Sequence, residues 1–301
     1  MKSSKQLKDL LNNKAKKLSL NPQTLLNRFF MERFLERISL SKYKNNFVLK
    51  GGILVSSIVG IDSRMTKDMD LSIQKLQLEE NFIKGVLKEI IAIEVDDATK
   101  FKLLSLAQIR EGADYHGLRA RLDVEFDKTR TCIQIDISAG DKITPNKIGY
   151  SYQLLLENRS IDIASYPIET VLSEKIECIL SRSVANTRMK DYYDCYILSS
   201  QHKKLINFET LLLALKNTLK ARKSESVLEN VAKNIELIKN DDAVKLSWLD
   251  YSKQFAYASG ISFESVISEL EALLNHVSGI PFKLGNAHPI PTASINSEKK
   301  R

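Results

Sequence analysis

The chain has 301 residues, 43% apolar and 27% charged, enough for one large domain or two modest ones. Eleven glycines exclude collagen-like and low-complexity classes, and no run approaches the roughly 18 apolar residues of a membrane helix. Lysine and arginine number 45 against 37 acids, a formal charge of +8, and residues 1–50 carry nine lysines and three arginines against Asp9, Glu32 and Glu36. That N-terminal excess suits either a phosphate backbone or a solvated helical surface. Three cysteines without a CxxC argue against a disulfide framework or structural zinc. No apolar secretory core opens the chain, so a cytoplasmic location is expected.

In chain order, helices are expected over residues 3–40, where Leu7, Leu10 and Leu11, then Leu25, Phe29, Phe34 and Ile38, follow helical spacing. Asn21-Pro22 is the second helix start, with proline at the first helical position. The strand signals lie between Phe47 and Ser165: FVLK, MDLSI, LRARLDVEF, CIQIDIS and SYQLLL, with helices near 53–60 and 79–91 between them. From Pro167 onward the pattern is helical, and half of the prolines fall in the last 21 residues. The expected class is α+β: a mixed sheet flanked by helices in an N-terminal lobe (1–165), a helical C-terminal lobe (166–280), and an extended or disordered tail (281–301).

The segment FVLKGGILVSSIVGIDSRMTKDMDLSI carries the chemistry. Gly51-Gly52 at a strand-to-helix turn lets backbone N–H groups approach an anion, although a double glycine alone marks only a tight turn. Alternation puts Asp68 and Asp70 on one face of MDLSI, roughly 7 Å apart. Like charges so placed repel, and a hard divalent cation relieves the conflict. A second metal needs a third acid. CIQIDIS supplies Asp136 on a strand with core-facing isoleucines, while Asp123 on the more exposed RLDVEF is its rival; Asp136 is favoured. The four histidines are scattered, and neither GxxxxGK[ST] nor GxSxG occurs. Tyr192, Tyr193, Tyr196 and Trp248 read as core.

Lys50-Gly51-Gly52 followed by Arg64-x-Thr66-x-Asp68-x-Asp70 resembles the first motif of the AbiEii-type nucleotidyltransferases, a branch of the DNA polymerase beta-like superfamily. Glu174-Lys175 and Arg188-Met-Lys-Asp191-Tyr-Tyr-Asp194 resemble that family's later motifs. The likeness covers about residues 46–200, and the superfamily's usual Gly-Ser is Gly-Gly here. It implies a toxin of a type IV toxin–antitoxin or abortive-infection system that moves a nucleotide from a nucleoside triphosphate (GTP or a pyrimidine nucleotide) to RNA, above all the tRNA 3′ end. It implies a repressor-type antitoxin that forms no stable complex with the toxin. Asp68, Asp70 and Asp136 would hold two magnesium or manganese ions. Lys50, Gly51, Gly52, Arg64 and Thr66 would line the nucleotide site, with Arg64 and Thr66 as phosphate or carboxylate partners. Lys175 would meet the triphosphate instead of being a solvated face residue, and Asp191 would position substrate unless it merely pairs with Arg188 and Lys190. The rival readings are a nucleotidyltransferase acting on a small molecule or protein, and a non-catalytic nucleotide-binding protein.

Overall fold

The computed structural model describes residues 3–111 and 115–278; the expected tail at 281–301 lies outside them. Helices α1 (Ser4–Leu18) and α2 (Pro22–Leu40) open the chain. Asn21 caps α2 by accepting the Gln23 N–H at 2.7 Å, and Pro22 occupies the first turn. Leu7, Leu11 and Ala15 bury one face of α1, whereas α2 is buried around most of its circumference.

That burial corrects the reading of the basic N-terminus. Arg28, Arg33 and Arg37 lie inside the protein, paired with Glu32 at 3.2 Å, Glu157 at 2.6 Å and Asp97 at 2.7 Å. A buried cation must be paired to survive desolvation, so the arginines hold α2 in place and offer nothing to an external phosphate. The exposed part of the excess is Lys5, Lys8, Lys16 and Lys17 of α1 together with Lys42 and Lys44 beyond α2.

Among the described residues one seven-stranded sheet runs in the order β3-β4-β5-β2-β1-β7-β6. Its strands are β1 (Phe47–Lys50), β2 (Met69–Ile73), β3 (Thr99–Glu111), β4 (Tyr115–Phe126), β5 (Thr129–Ala139), β6 (Ile148–Gln153) and β7 (Ser160–Ser165). β2–β5 and β1–β7 are parallel and the other neighbours antiparallel, giving a mixed sheet. Helix α3 (Gly51–Val59) follows β1 without a break, and α4 (Glu80–Ile91) follows β2. The sheet contains two strands beyond those expected, β3 and β7. The expected SYQLLL strand ends at Gln153.

Helices begin again at Ile168 with α5 (Ile168–Arg182) and α6 (Met189–His202), then α7 (Phe208–Arg222), α8 (Val231–Asn240), α9 (Asp242–Gln254) and α10 (Phe263–Ser278). Thr170 ties α5 to the segment after β5, its hydroxyl donating to the Thr144 carbonyl and accepting the Thr144 N–H, both at 3.0 Å. Tyr192, Tyr193 and Trp248 are buried core residues, and the Trp248 Nε1–H donates to the Ile261 carbonyl at 3.0 Å.

Candidate active site

Register builds the site. Lys50 on β1 lies opposite Asp70 on β2, Asp70 opposite Asp136 on β5, and Asp136 opposite Arg119 on β4. Neighbouring strands stand about 4.8 Å apart and directly paired residues share a face. Four strands therefore lay a row of charge across the sheet, plus–minus–minus–plus. Burial pushes the Asp70 carboxyl above its ordinary range; Lys50 and Lys190 oppose the rise, while Asp136 and Asp68 add to it. The two central acids repel each other at the centre of the row.

The turn from β1 to α3 is shaped around Asp70. Gly51 has φ +66°, and a Cβ there would stand 2.1 Å from Asp70 Oδ2. Glycine at 51 thus answers a close approach as well as a left-handed backbone. A Cβ at Gly52 would meet Thr66 Oγ1 at 2.9 Å. Thr66 in turn holds the approach to β2, its hydroxyl accepting the Asp68 N–H at 3.4 Å. Asp68 sits one residue before β2 on the cleft side.

Arg64 is a carboxylate partner. It is buried, with Nε 2.5 Å from Asp194 Oδ1 and Nη2 3.2 Å from Asp194 Oδ2, the second of its two expected roles. Asp194, on α6, also receives Lys175 Nζ at 2.6 Å, and Lys175 reaches Asp191 at 3.0 Å. Lys175 is accordingly neither a solvated face residue nor a cation free to take a triphosphate as it stands. Burial would lower its pKa, but Asp194 and Asp191 outweigh that and hold it fully charged. Burial would likewise raise Asp191, yet Lys175 and Arg188 bring it down to about 2. Asp191 pairs with Arg188 at 2.9 Å as well, so its carboxylate is engaged on both sides.

Lys50 reaches across to Asp141 at 2.9 Å and lies 3.9 Å from Glu174 at the start of the helical wall. Between the charge row and helices α5, α6 and α7 opens a cleft of about 1000 Å³, lined by Asp68, Asp70, Asp136, Lys175 and Asp191 together. Asp123 is elsewhere: it pairs with Arg130 at 2.5 Å, four residues along β4 from Arg119.

Three participants escaped the sequence reading: Arg119, Asp141 and Asp194 as the shared anion of Arg64 and Lys175. Arg119 was the most accessible. A two-residue turn at Asp127-Lys128, with Asp127 at φ +49°, sets Phe126 opposite Thr129 and carries Arg119 opposite Asp136.

The donor set suits a hard divalent ion at Asp68 and Asp70, two carboxylates that line the same cleft and have only oxygen to offer. Asp136 is differently committed. Arg119 grips it with Nε and Nη2, each at 2.8 Å, and no group of three or more metal-type ligands forms among the described residues.

Carboxylates in register beside a glycine turn, on a mixed sheet walled by helices, define a nucleotidyltransferase-type architecture. Residues 33–275 match the model of the nucleotidyl transferase AbiEii toxin of type IV toxin–antitoxin systems, and the chain belongs to that family. It is therefore a toxin-family nucleotidyltransferase whose system includes an antitoxin. Two solved structures resemble it: an H. pylori protein described as a candidate nucleotidyltransferase (TM-score 0.50, 16% identity, covering 86% of this chain and 96% of that one) and JHP933 from Helicobacter pylori (TM-score 0.50, 16% identity, 86% and 94%). At that identity they speak for the fold alone. No curated protein matches significantly. No helix among the described residues is long and apolar enough to cross a membrane.

Proposed function

We propose that this protein transfers a nucleotide from a nucleoside triphosphate to the 3′ end of an RNA, tRNA above all, with magnesium bound at Asp68 and Asp70. The observation that carries the reading is the fit of Gly51 against the Asp70 carboxylate at the mouth of the cleft. Any side chain at position 51 would collide with that carboxylate, which lines the cleft beside a helix start, where backbone N–H groups favour phosphate.

In such a transfer the acceptor hydroxyl oxygen bonds to the α-phosphorus, the bond to pyrophosphate breaks, and the hydroxyl proton is released. A divalent ion, when bound, neutralises triphosphate oxygens and aligns the α-phosphorus for in-line attack. Asp68 and Asp70 would hold that ion, and the Gly51-Gly52 turn leaves room for phosphate. The Lys175–Asp191–Asp194–Arg64 group fixes α5 and α6 against the loop carrying Thr66 and Asp68, so its part is positioning. Exposed cations on the helical wall, Arg182, Lys190 and Lys223, suit an RNA backbone leading into the cleft.

The test is incubation of purified protein with each labelled nucleoside triphosphate, magnesium and total tRNA. Label in tRNA that disappears in Asp70→Asn supports the reading. Label appearing only in protein or small molecules would move the acceptor to another class, and no incorporation from any nucleotide would overturn transfer itself.

A further inference from the structure

Every cation of the charge row is committed, and the commitment of Arg119 has a chemical meaning. Its guanidinium takes both oxygens of Asp136 in a two-bond fork, each at 2.8 Å, on the strand next to the one carrying that acid. The Arg119 side chain remains 41% exposed and lines the same cleft as Asp68 and Asp70. Arginine is always charged and its planar fork matches a carboxylate, so the pair is bidentate and charge-assisted. A divalent ion bridging Asp70 and Asp136 would have to displace Arg119 or take the remaining lone pair of an oxygen that Arg119 already engages, next to the guanidinium charge.

We infer that the site takes a single divalent ion, on Asp68 and Asp70, and that Arg119 serves in place of a second ion by neutralising the Asp136 carboxylate at the cleft. This rests on the nucleotidyltransferase reading above, since it assigns the charges within that same site. Asp136 then acts as the orienter of Arg119 and not as a metal ligand. Two strands hold the pair in register: Asp136 is flanked on β5 by buried Ile135 and Ile137, and Arg119 on β4 by buried Leu118 and Ala120.

The test is manganese stoichiometry on the intact chain, by calorimetry and by electron paramagnetic resonance, with no nucleotide present. The native protein should bind one Mn²⁺ per chain without the dipolar broadening of a close ion pair. Arg119→Gln, which frees the Asp136 oxygens, should bind a second, with that broadening. Asp136→Asn alone leaves the Arg119 cation unpaired beside the ion and should bind one Mn²⁺ more weakly. The double variant Arg119→Gln, Asp136→Asn, which removes both charges of the pair, should bind one with affinity within about twofold of native, because Asp136 is not a ligand. Circular dichroism shows that each variant is folded; should Arg119→Gln unfold, Arg119→Lys, which keeps the charge but loses the fork, serves instead and should bind a weaker second ion.

Two ions in the native protein, or a loss of affinity of tenfold or more in the charge-balanced double variant Arg119→Gln, Asp136→Asn, would overturn the single-ion assignment while leaving nucleotide transfer standing. A second site that fails to appear in the folded arginine variant would overturn the role given to Arg119. No Mn²⁺ bound at all, together with no nucleotide incorporation, would instead overturn the underlying reading of the site.

Discussion

Asp70 is caught between two requirements, and Gly51 shows how tightly they are met. A methyl group at residue 51 would both strain a backbone at φ +66° and collide with Asp70 Oδ2. Gly51→Ala should therefore cost about 1 to 3 kcal/mol and displace the carboxylate, so nucleotide incorporation should fall more than the shift in denaturation midpoint explains. Asp70 itself is a burden to the metal-free fold. Burial raises its pKa, with Lys50 only partly opposing, so the folded state holds the proton more tightly than the unfolded one. Stability from this group is full below its ordinary value of 3.8 and is lost as pH rises through the raised one. At neutral pH Asp70→Asn should then raise the melting midpoint in EDTA, by roughly 2 °C for about 1 kcal/mol, while abolishing incorporation and toxicity. A lower midpoint in EDTA would show that Asp70 is instead well paired.

At the scale of elements, the buried group of Arg64, Lys175, Asp191 and Asp194 joins α5, α6 and the loop before β2. Lys175→Ala leaves Asp194 and Asp191 short of a cation inside the protein, a loss of about 3 to 5 kcal/mol. Weakened nucleotide binding in that variant means a role in catalysis only if its melting midpoint has not fallen in step. The same carboxylates set the acid limit. Asp191 titrates near 2 against an ordinary 3.8 because Lys175 and Arg188 outweigh its burial, so its contribution is present above 3.8 and disappears as pH falls toward 2. Acid unfolding followed by circular dichroism should show that loss in the native protein and a shallower one in Asp191→Asn. Elements with clean periodicity were legible in the sequence: β1, β2, β5 and the two helix starts at Asn21-Pro22 and Gly51. β3 was not, because a bulge between Leu103 and Ser105 breaks its alternation and leaves Leu104 50% exposed. β7 offers only Ile161 and Ile163 as buried alternating apolar residues before the helices begin. At the candidate site, residue types and spacing brought out the acids and the glycines. The partners of Arg64 and Lys175 lay beyond reach, since they come from α6 about 130 and 20 residues away, and only packing decides which carboxylate a buried cation meets.

For the whole molecule, the question is which face an RNA would follow, and the sheet supplies a measure. The start of α1 docks at the β4–β5 turn, where the Ser4 hydroxyl donates to the Phe126 carbonyl at 3.0 Å and the Ser4 N–H donates to Asp127 at 2.9 Å. Asp136 lies seven residues along β5 from Thr129, on the order of 23 Å at the rise of a strand. The arginines of α2 are buried in ion pairs, so the basic excess of the first 50 residues does not form one continuous track to the cleft. The helical wall, by contrast, brings Arg182, Lys190 and Lys223 to the cleft itself. Removing a cation that neutralises one phosphate should lower the slope of log affinity against log salt by roughly 0.7 for a single strand and 0.9 for a duplex. The triple variant Arg182→Gln, Lys190→Gln, Lys223→Gln should reduce that slope for tRNA by about two to three, and incorporation should fall with it. Lys5→Gln, Lys8→Gln, Lys16→Gln and Lys17→Gln together should leave slope and incorporation within error, because these exposed helical lysines do not line the cleft and surface substitutions rarely disturb the fold. The reverse pattern, a slope that moves with α1 and ignores the wall, would place the RNA along the N-terminal helix and leave the cleft cations to the triphosphate alone.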